Sequence, residues 1–566
     1  MIARHARTLA RLFVALLVAA VLAPLSVGPA AADGYVPITG TGSTWSQNAL
    51  DQWRRNVAAN YGMTVNYSGT GSTSGRRDFI QGTVDFAISE IPFQANPEDG
   101  SAPEVPTVGY AYMPIVAGGT SFMYNLKISG KQVTNLRLSG DTIAKIFTGV
   151  VTKWNDPAIA ADNPGLAMPD RAIVPVVRSD GSGTTAQFTL WMSKQYSAIW
   201  QAFCAKVGRS GTCGMTSQYP VFGTAKAQKG SDGVSGYVSQ DYGEGAITYV
   251  EYSYAKKSGF PVAKVLNAAG YYVEPTAQAV AVALLKARIN TDSGSKDYLT
   301  QILDDVYTDQ DKRVYPLSSY SYLIVPTEVK GIFNTAKGAT LGSFASYVLC
   351  EGQQQADALG YSPLPMNLVM AGSDQIKRIP GASTSGIDFN TCNNPTFKAG
   401  DSPGTNQLAL TAPNPADCDK QGPTQCTTAT GGATTDTPAA SGSVSLGGAA
   451  VVPGSSGSTS GGTTQAGSTT SGGTAAAAQA ATGTAAASTT DIPVVDENGT
   501  VVSGSSAVTA SSTVAGAAHS SPFSLVSSTT TSQMWLMVGS GALLVLVVAL
   551  PPVLWRRVGD RGKSGI

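Results

Sequence analysis

Arg178-Ser179-Asp180-Gly181-Ser182-Gly183-Thr184-Thr185 is the stretch on which the reading of this chain turns. An apolar run, Ile173-Val174-Pro175-Val176-Val177, leads into it, and Phe188, Trp191 and Met192 follow at i, i+3 and i+4. The stretch therefore joins a strand to a helix. Its glycines permit a tight turn, and Ser182 stands where a helix N-cap is expected. Such a turn leaves backbone N–H groups pointing outward at a helix N-terminus, where an anion is stabilised. Arg178 adds a permanent cation whose planar fork matches an oxyanion. The local expectation is an oxyanion cradle. Ser/Gly turns before helices are common, so the argument needs repetition elsewhere in the chain.

That repetition exists. Gly40-Thr41-Gly42-Ser43-Thr44-Trp45 precedes a helical pattern with Leu50, Trp53 and Val57 on one face. A strand at 64–67 runs into Ser68-Gly69-Thr70-Gly71-Ser72-Thr73-Ser74-Gly75 and a second helix ending near Gly82. Val84, Phe86 and Ile88 then alternate as a strand that ends at Ser89-Glu90. Three hydroxyl-rich turns before helices suggest several helix N-termini converging on one anion. Further on, 114–125 reads as a buried strand crossing between lobes, and 315–326 as a second crossover. Residues 141–147, 275–288 and 344–359 read as helices; 237–238 and 246–250 read as strands. Alternating short strands and helices define an α/β fold.

Composition narrows the chemistry. The 566 residues carry 37 basic and 37 acidic side chains, unevenly placed. Three arginines lie in the leader, and four basic residues with Asp560 lie in the tail, which leaves the middle at about −6. An acidic middle argues against nucleic acid as a partner, so an anion here is held by local donors rather than by net charge. The only histidines are His5 and His519, outside any region expected to fold. Serine triads, Cys–His pairs and histidine metal sites are thereby excluded, and no metal or cofactor is expected. Six cysteines in an exported chain favour disulfides. Proximity suggests Cys204–Cys213 and Cys418–Cys426, leaving Cys350–Cys392, among 15 possible connectivities.

Residues 1–32 read as a secretory signal: Arg4, Arg7 and Arg11, an apolar core, then Ala30-Ala31-Ala32. Residues 33–381 form the α/β domain, and 382–426 a cysteine-containing extension. From 427 to 532 the composition collapses to Ser, Thr, Gly and Ala, a disordered linker spanning roughly 50–60 Å on average. Residues 533–555 are apolar enough to cross a bilayer, flanked by Trp535, Trp555, Arg556 and Arg557. Residues 556–566 would be the cytoplasmic tail, so the expected location is a single-pass membrane protein with its folded domain outside the cytoplasm.

The residues quoted above, with Trp154-Asn155-Asp156-Pro157, 245–252 and 359–365, resemble the phosphate-binding protein of bacterial ABC phosphate importers, the PstS family. The resemblance covers about 35–380. It implies a two-lobed periplasmic-binding-protein-like (type II) fold with two crossover strands. One lobe would comprise about 35–116 and 322–380, the other about 117–321. It further implies a monomer that buries one inorganic phosphate between the lobes and delivers it to an ABC permease. The matching positions are Thr44, the Trp45 backbone, Ser72, Arg178, Ser182, Gly183 and Thr184, with Asp180 orienting Arg178.

One position departs from the family pattern, which has Ser-Asp where this chain has Ser89-Glu90. In the family that carboxylate accepts the proton of bound phosphate; sulfate at neutral pH has no proton to donate and is repelled. Glu90 keeps the acceptor one methylene further out. Three accommodations are open: a retracted loop, which is the favoured one, pairing of Glu90 with Arg178 or another cation, or a different anion. Two other functions compete with transport. One is a surface-tethered phosphate sensor or display protein. The other is a secreted phosphoesterase, which would need a metal cluster or an activated nucleophile that this composition does not offer.

Overall fold

The computed structural model describes residues 34–97, 99–209 and 213–437. The signal, the membrane span at 533–555 and the tail lie outside these residues, as does the linker beyond 437. Strand β1 (Ile38–Gly42), helix α1 (Gln47–Tyr61), β2 (Val65–Ser68), α2 (Ser72–Gln81) and β3 (Phe86–Ser89) follow in order. Helix α1 buries Leu50, Trp53 and Val57, the face its spacing indicates, and ends at Gly62 in the left-handed region. Each of these strands feeds a hydroxyl-rich loop that opens a helix or reaches the site.

Strand β4 (Tyr110–Tyr124) is 15 residues long and buried along almost its whole length. The chain then forms β5 (Val174–Arg178), α3 (Gly183–Gln195), β6 (Lys226–Gln228), α4 (Gly230–Val238), β7 (Ala246–Glu251), β8 (Val262–Leu266) and β9 (Ser318–Pro326). The sheet order is β2-β1-β3-β9-β4-β7-β5-β6. The outer pairs are parallel, while β9 runs antiparallel to both β3 and β4. The first part of β4 pairs with β9, and its last five residues pair with β7. One strand thus passes from the first sheet into the second. Three hydrophobic clusters result among the described residues, the third of them around Met123, Val176, Val234 and Val250. Trp53, Phe86, Met113, Leu323 and Phe344 belong to the first; Phe122, Phe147, Trp154, Phe188 and Tyr249 belong to the second. This is the two-lobed α/β architecture expected.

Several local expectations need correction. Tyr237 and Val238 lie in the last turn of α4, not in a strand. Gly233 and Gly236 hide that helix from a propensity reading, but Gly230-Ser231 opens it in the same way as the other turns. The helix expected over 275–288 spans only Ala277–Leu284. The run expected over 344–359 is helical but broken at Cys350: 344–349 end a longer helix, Thr335–Leu349, and a 3-10 turn, Glu351–Gln355, then leads into the short helix Ala356–Leu359. There Gly352 sits so close to Trp53 that a Cβ would lie 2.9 Å from the indole nitrogen, which donates to the Gly352 carbonyl.

The three disulfides are Cys204–Cys213, Cys350–Cys392 and Cys418–Cys426. The last two lie in an extension that reaches the first and second hydrophobic cores. Cys392 is tied to the end of Thr335–Leu349, and Phe397 enters the first core. Ala409 enters the second core. Arg137 then donates to the Cys418 and Thr424 carbonyls, and Lys264 pairs with Asp419 at 2.8 Å. The Ser/Thr/Gly/Ala tract does not become a linker at 427. Thr430 is buried and donates to the Val262 carbonyl, and Thr437 pairs with Thr134. Composition alone misses this, because single threonine hydroxyls complete the edge of a sheet.

Candidate anion-binding site

The first wall grows from the end of β1. Gly42 takes φ +135°, and a Cβ there would lie 2.2 Å from the Ile88 carbonyl oxygen, so β1 and β3 close together only with glycine. The chain then turns through Ser43, Thr44 and Trp45. The Trp45 N–H donates to Ser43 Oγ at 2.9 Å. Tyr254 donates to the Thr44 carbonyl, and Tyr361 to the Trp45 carbonyl at 2.6 Å. Trp45 itself is buried, edge-on to Tyr361. Both polar groups of the Trp45 backbone are therefore taken, by Ser43 and Tyr361, and the donor role expected for it is not on offer in this arrangement.

The second wall is the opening stretch. Ser182 caps α3 by accepting the Thr185 N–H at 3.2 Å. Its own N–H is used by the Ser217 carbonyl at 2.9 Å, so Ser182 offers the site its hydroxyl proton but not its backbone. Gly183 donates its N–H to Ser72 Oγ of the other lobe at 3.1 Å. A Cβ at Gly183 would sit 2.1 Å from Glu90 Oε2, so only glycine lets the two lobes approach here. Thr184 is buried and its Oγ1 has no hydrogen-bond partner; the same is true of Thr70 Oγ1 beside α2. Buried hydroxyls without partners are costly, and that of Thr184, next to Gly183 in the chain, leaves a donor for a polar ligand.

Arg178 ends β5 and is buried. Its Nε donates to Asp180 Oδ1 at 2.7 Å and its Nη2 to Oδ2, the orientation expected for this pair. Asp180 occupies two of the five guanidinium N–H donors, leaving the rest for a ligand. Burial pushes the Asp180 carboxyl up, but the Arg178 hydrogen bonds and charge, with the Gly230 N–H, overcome this and hold it below its ordinary value. Gly71, at φ +99°, makes room: a Cβ there would lie 2.5 Å from Asp180 Oδ2. Behind Arg178, the Tyr249 hydroxyl accepts the Arg178 N–H and pairs with Thr185 Oγ1 at 2.8 Å. Burial pushes that phenol up to about 12, so it stays neutral.

Glu90 is fully buried between the walls. Its Oε2 accepts from Ser72 Oγ at 2.8 Å and its Oε1 from Ser321 Oγ at 2.5 Å. Pairing with Arg178 is therefore not the accommodation found. No lysine or arginine pairs with Glu90 among the described residues. Of the nine expected residues, Thr44, Ser72, Glu90, Asp180 and Gly183 meet the opposite lobe along one seam, Arg178 is held there by Asp180, and Trp45, Ser182 and Thr184 adjoin these residues in the chain.

Sequence reasoning missed three contributors. The Ser231 N–H donates to Thr44 Oγ1 at 3.0 Å, and the two hydroxyls lie 2.9 Å apart. Gly230-Ser231 is a fourth small-residue helix start, so the signal was present. Ser321 sits in an apolar strand with no motif around it. Gln187 donates to the Glu90 carbonyl at 2.8 Å, and nothing in its helical context marks it. Among the described residues, no cluster of three His, Cys, Asp or Glu side chains could hold a metal ion.

The seam thus brings together hydroxyl, backbone and guanidinium donors and two carboxylates, Asp180 holding Arg178 and Glu90 held by serine hydroxyls. A model of the PBP superfamily domain matches residues 27–351. Phosphate-binding protein PstS of Xylella fastidiosa (strain Temecula1) is 34% identical over 334 residues, covering 59% of this chain and 83% of that protein. The protein of the same name from Pasteurella multocida (strain Pm70) is 32% identical over 339 residues, covering 59% and 87%. Among solved structures, a high affinity periplasmic phosphate-binding protein (PfluDING) bound with phosphate aligns with a TM-score of 0.45 at 19% identity, covering 59% of this chain and 92% of that one. The chain belongs to the PBP superfamily and, within it, to the phosphate-binding protein PstS family.

Proposed function

We propose that this protein is an extracytoplasmic solute-binding protein that captures inorganic phosphate between its lobes and delivers it to an ABC importer. The observation that carries the reading is the seam itself. The Ser72 hydroxyl joins the Gly183 N–H of one lobe to the Glu90 carboxylate of the other, the Thr184 hydroxyl next in the chain has no partner, and Asp180 leaves part of the Arg178 guanidinium unused. A buried oxyanion needs many short hydrogen bonds, and a protonated one also needs an acceptor. Such a donor set binds and releases; among the described residues the hydroxyls held by Glu90 have neither a histidine nor a metal cluster beside them, which disfavours the phosphoesterase reading.

In this reading the signal at 1–32 exports the chain, and the apolar stretch 533–555 anchors it with the folded domain outside. Among the described residues no helix is long and apolar enough to cross a membrane, and 533–555 lies outside them. A single chain supplies all nine site residues, which suits a monomer. A surface-tethered phosphate sensor is the second reading, favoured by the long low-complexity stretch before the apolar segment. Phosphate uptake by cells lacking this protein separates the two: a transport role requires a deficit at low phosphate, and a sensor leaves uptake itself intact.

A further inference from the structure

We propose that Ser321 is a positioning residue that determines the anion specificity of the site by fixing the Glu90 carboxylate. The inference rests on the phosphate reading above. Its geometric basis begins with strand register. In the antiparallel pair, Tyr322 lies opposite Ser89, Leu323 opposite Ile88 and Ile324 opposite Ala87. Ser321 is therefore the next position, facing Glu90 just past the end of β3. On its other side β9 is irregular: Ser321 pairs with Val116 and Tyr322 with Pro114, so Ile115 is an extra residue in β4. Pro114 has no N–H for the ladder, and the bulge beside it changes which way neighbouring side chains are aimed. At this kink the Ser321 hydroxyl donates to Glu90 Oε1 at 2.5 Å, from a fully buried position.

Every polar atom of the Glu90 side chain and its carbonyl is then held by a neutral donor. Ser72 takes Oε2, Ser321 takes Oε1, and Gln187 and Gln301 take the carbonyl at 2.8 and 3.2 Å. Gln301 is itself locked to the Tyr320 backbone through both its N–H and its carbonyl oxygen. A glutamate has one more rotatable bond than an aspartate, so its carboxylate must be restrained to serve as a directed acceptor. Ser321 supplies that restraint at the one oxygen Ser72 does not hold. An acceptor fixed this way benefits an anion that carries a proton and repels one that carries none.

The test measures phosphate and sulfate affinity of the full-length protein by calorimetry, for the native chain, Ser321→Ala, Ser321→Cys and Ser321→Thr. Ser321→Ala should weaken phosphate binding by about tenfold, the worth of one hydrogen bond to a charged group, with sulfate binding moved less than about threefold. Ser321→Cys, nearly isosteric but a weak donor, should behave like alanine, and Ser321→Thr should restore the native selectivity. In a Glu90→Asp background the shorter carboxylate no longer reaches Ser321, so adding Ser321→Ala should shift the phosphate-to-sulfate ratio less than about threefold. A merely structural serine would give the same shift in both backgrounds. Native binding and selectivity with no change in Ser321→Ala or Ser321→Cys overturns this inference alone. A native chain that binds no phosphate overturns the functional reading, and this inference with it.

Discussion

The Gly183 N–H donates to Ser72 Oγ at 3.1 Å, and that same hydroxyl donates to Glu90 Oε2 at 2.8 Å. A helix N-terminus of one lobe is thus satisfied by a hydroxyl at the helix N-terminus of the other. These three groups link the two lobes, and Arg178, held by Asp180, ends the strand that leads to Gly183. An oxyanion entering here would find its donors already oriented by caps and tight glycines, so little ordering remains to be done on binding.

Arg178 should be the largest single contributor to anion binding. Arg178→Ala removes the cation and leaves the Asp180 carboxylate buried without its partner. We expect phosphate affinity to fall at least about 100-fold, since each charge-assisted bond is worth about 1.5–3 kcal/mol and the uncompensated carboxylate repels the ligand. Arg178→Lys keeps the charge but loses the fork and should recover only part of the affinity. Calorimetric titration of the three proteins checks this.

The Arg76–Glu104 pair is a structural counterpart. Arg76 is fully buried; its Nε donates to Glu104 Oε2 at 2.6 Å and its Nη2 to Oε1 at 3.1 Å. Its Nη1 donates to Ser89 Oγ at 2.8 Å, the residue before Glu90. Arg76→Ala should destabilise the domain by about 3–5 kcal/mol, because it leaves a buried carboxylate uncompensated. Urea unfolding, with the denaturant slope held in common, measures it.

Glu251 should make stability depend on pH. It is fully buried, and burial pushes its carboxyl well above the ordinary value, against the opposing hydrogen bonds from Ser253 and Tyr361. The native state therefore keeps a proton that the unfolded chain loses above about pH 4.3. Stability should fall as pH rises through the window between the unfolded and the native values, by up to about 1.4 kcal/mol per pH unit. Glu251→Gln, which preserves an acceptor for the Ser253 N–H, should flatten that slope. Thermal unfolding of both proteins from pH 5 to 8 reads the difference.

The two-lobe extension should add to the stability of the folded domain. The Cys350–Cys392 bond closes a 42-residue separation, worth about 4 kcal/mol in the loop-entropy account. Replacing both cysteines by serine should lower the thermal midpoint by several degrees and expose the 382–437 segment to proteolysis. A protease time course with mass spectrometry locates the first cuts.

Much of this site could be read from the chain because its logic is local. A strand, a Gly/Ser/Thr turn and a helix N-terminus lie within a dozen residues; that grammar marks the three turns, and the resemblance to the PstS family singles out Thr44 and Ser72 within them. Ser231 shares the grammar but was obscured by the glycines of its own helix. Ser321 and Gln187 could not be found this way, because their roles come from strand register and from contacts more than 90 residues away in the chain. The helix break at Cys350 and the packed threonines at 430 and 437 are likewise tertiary facts, set by Trp53 and by the exposed edge near Val262.

The central claim is tested most directly by isothermal titration of the purified protein with phosphate and, separately, with sulfate at neutral pH. The account expects one phosphate per chain, bound at least about 100-fold more tightly than sulfate, the discrimination a buried carboxylate acceptor can supply. Equal affinity for the two anions, or no heat with phosphate, would contradict it.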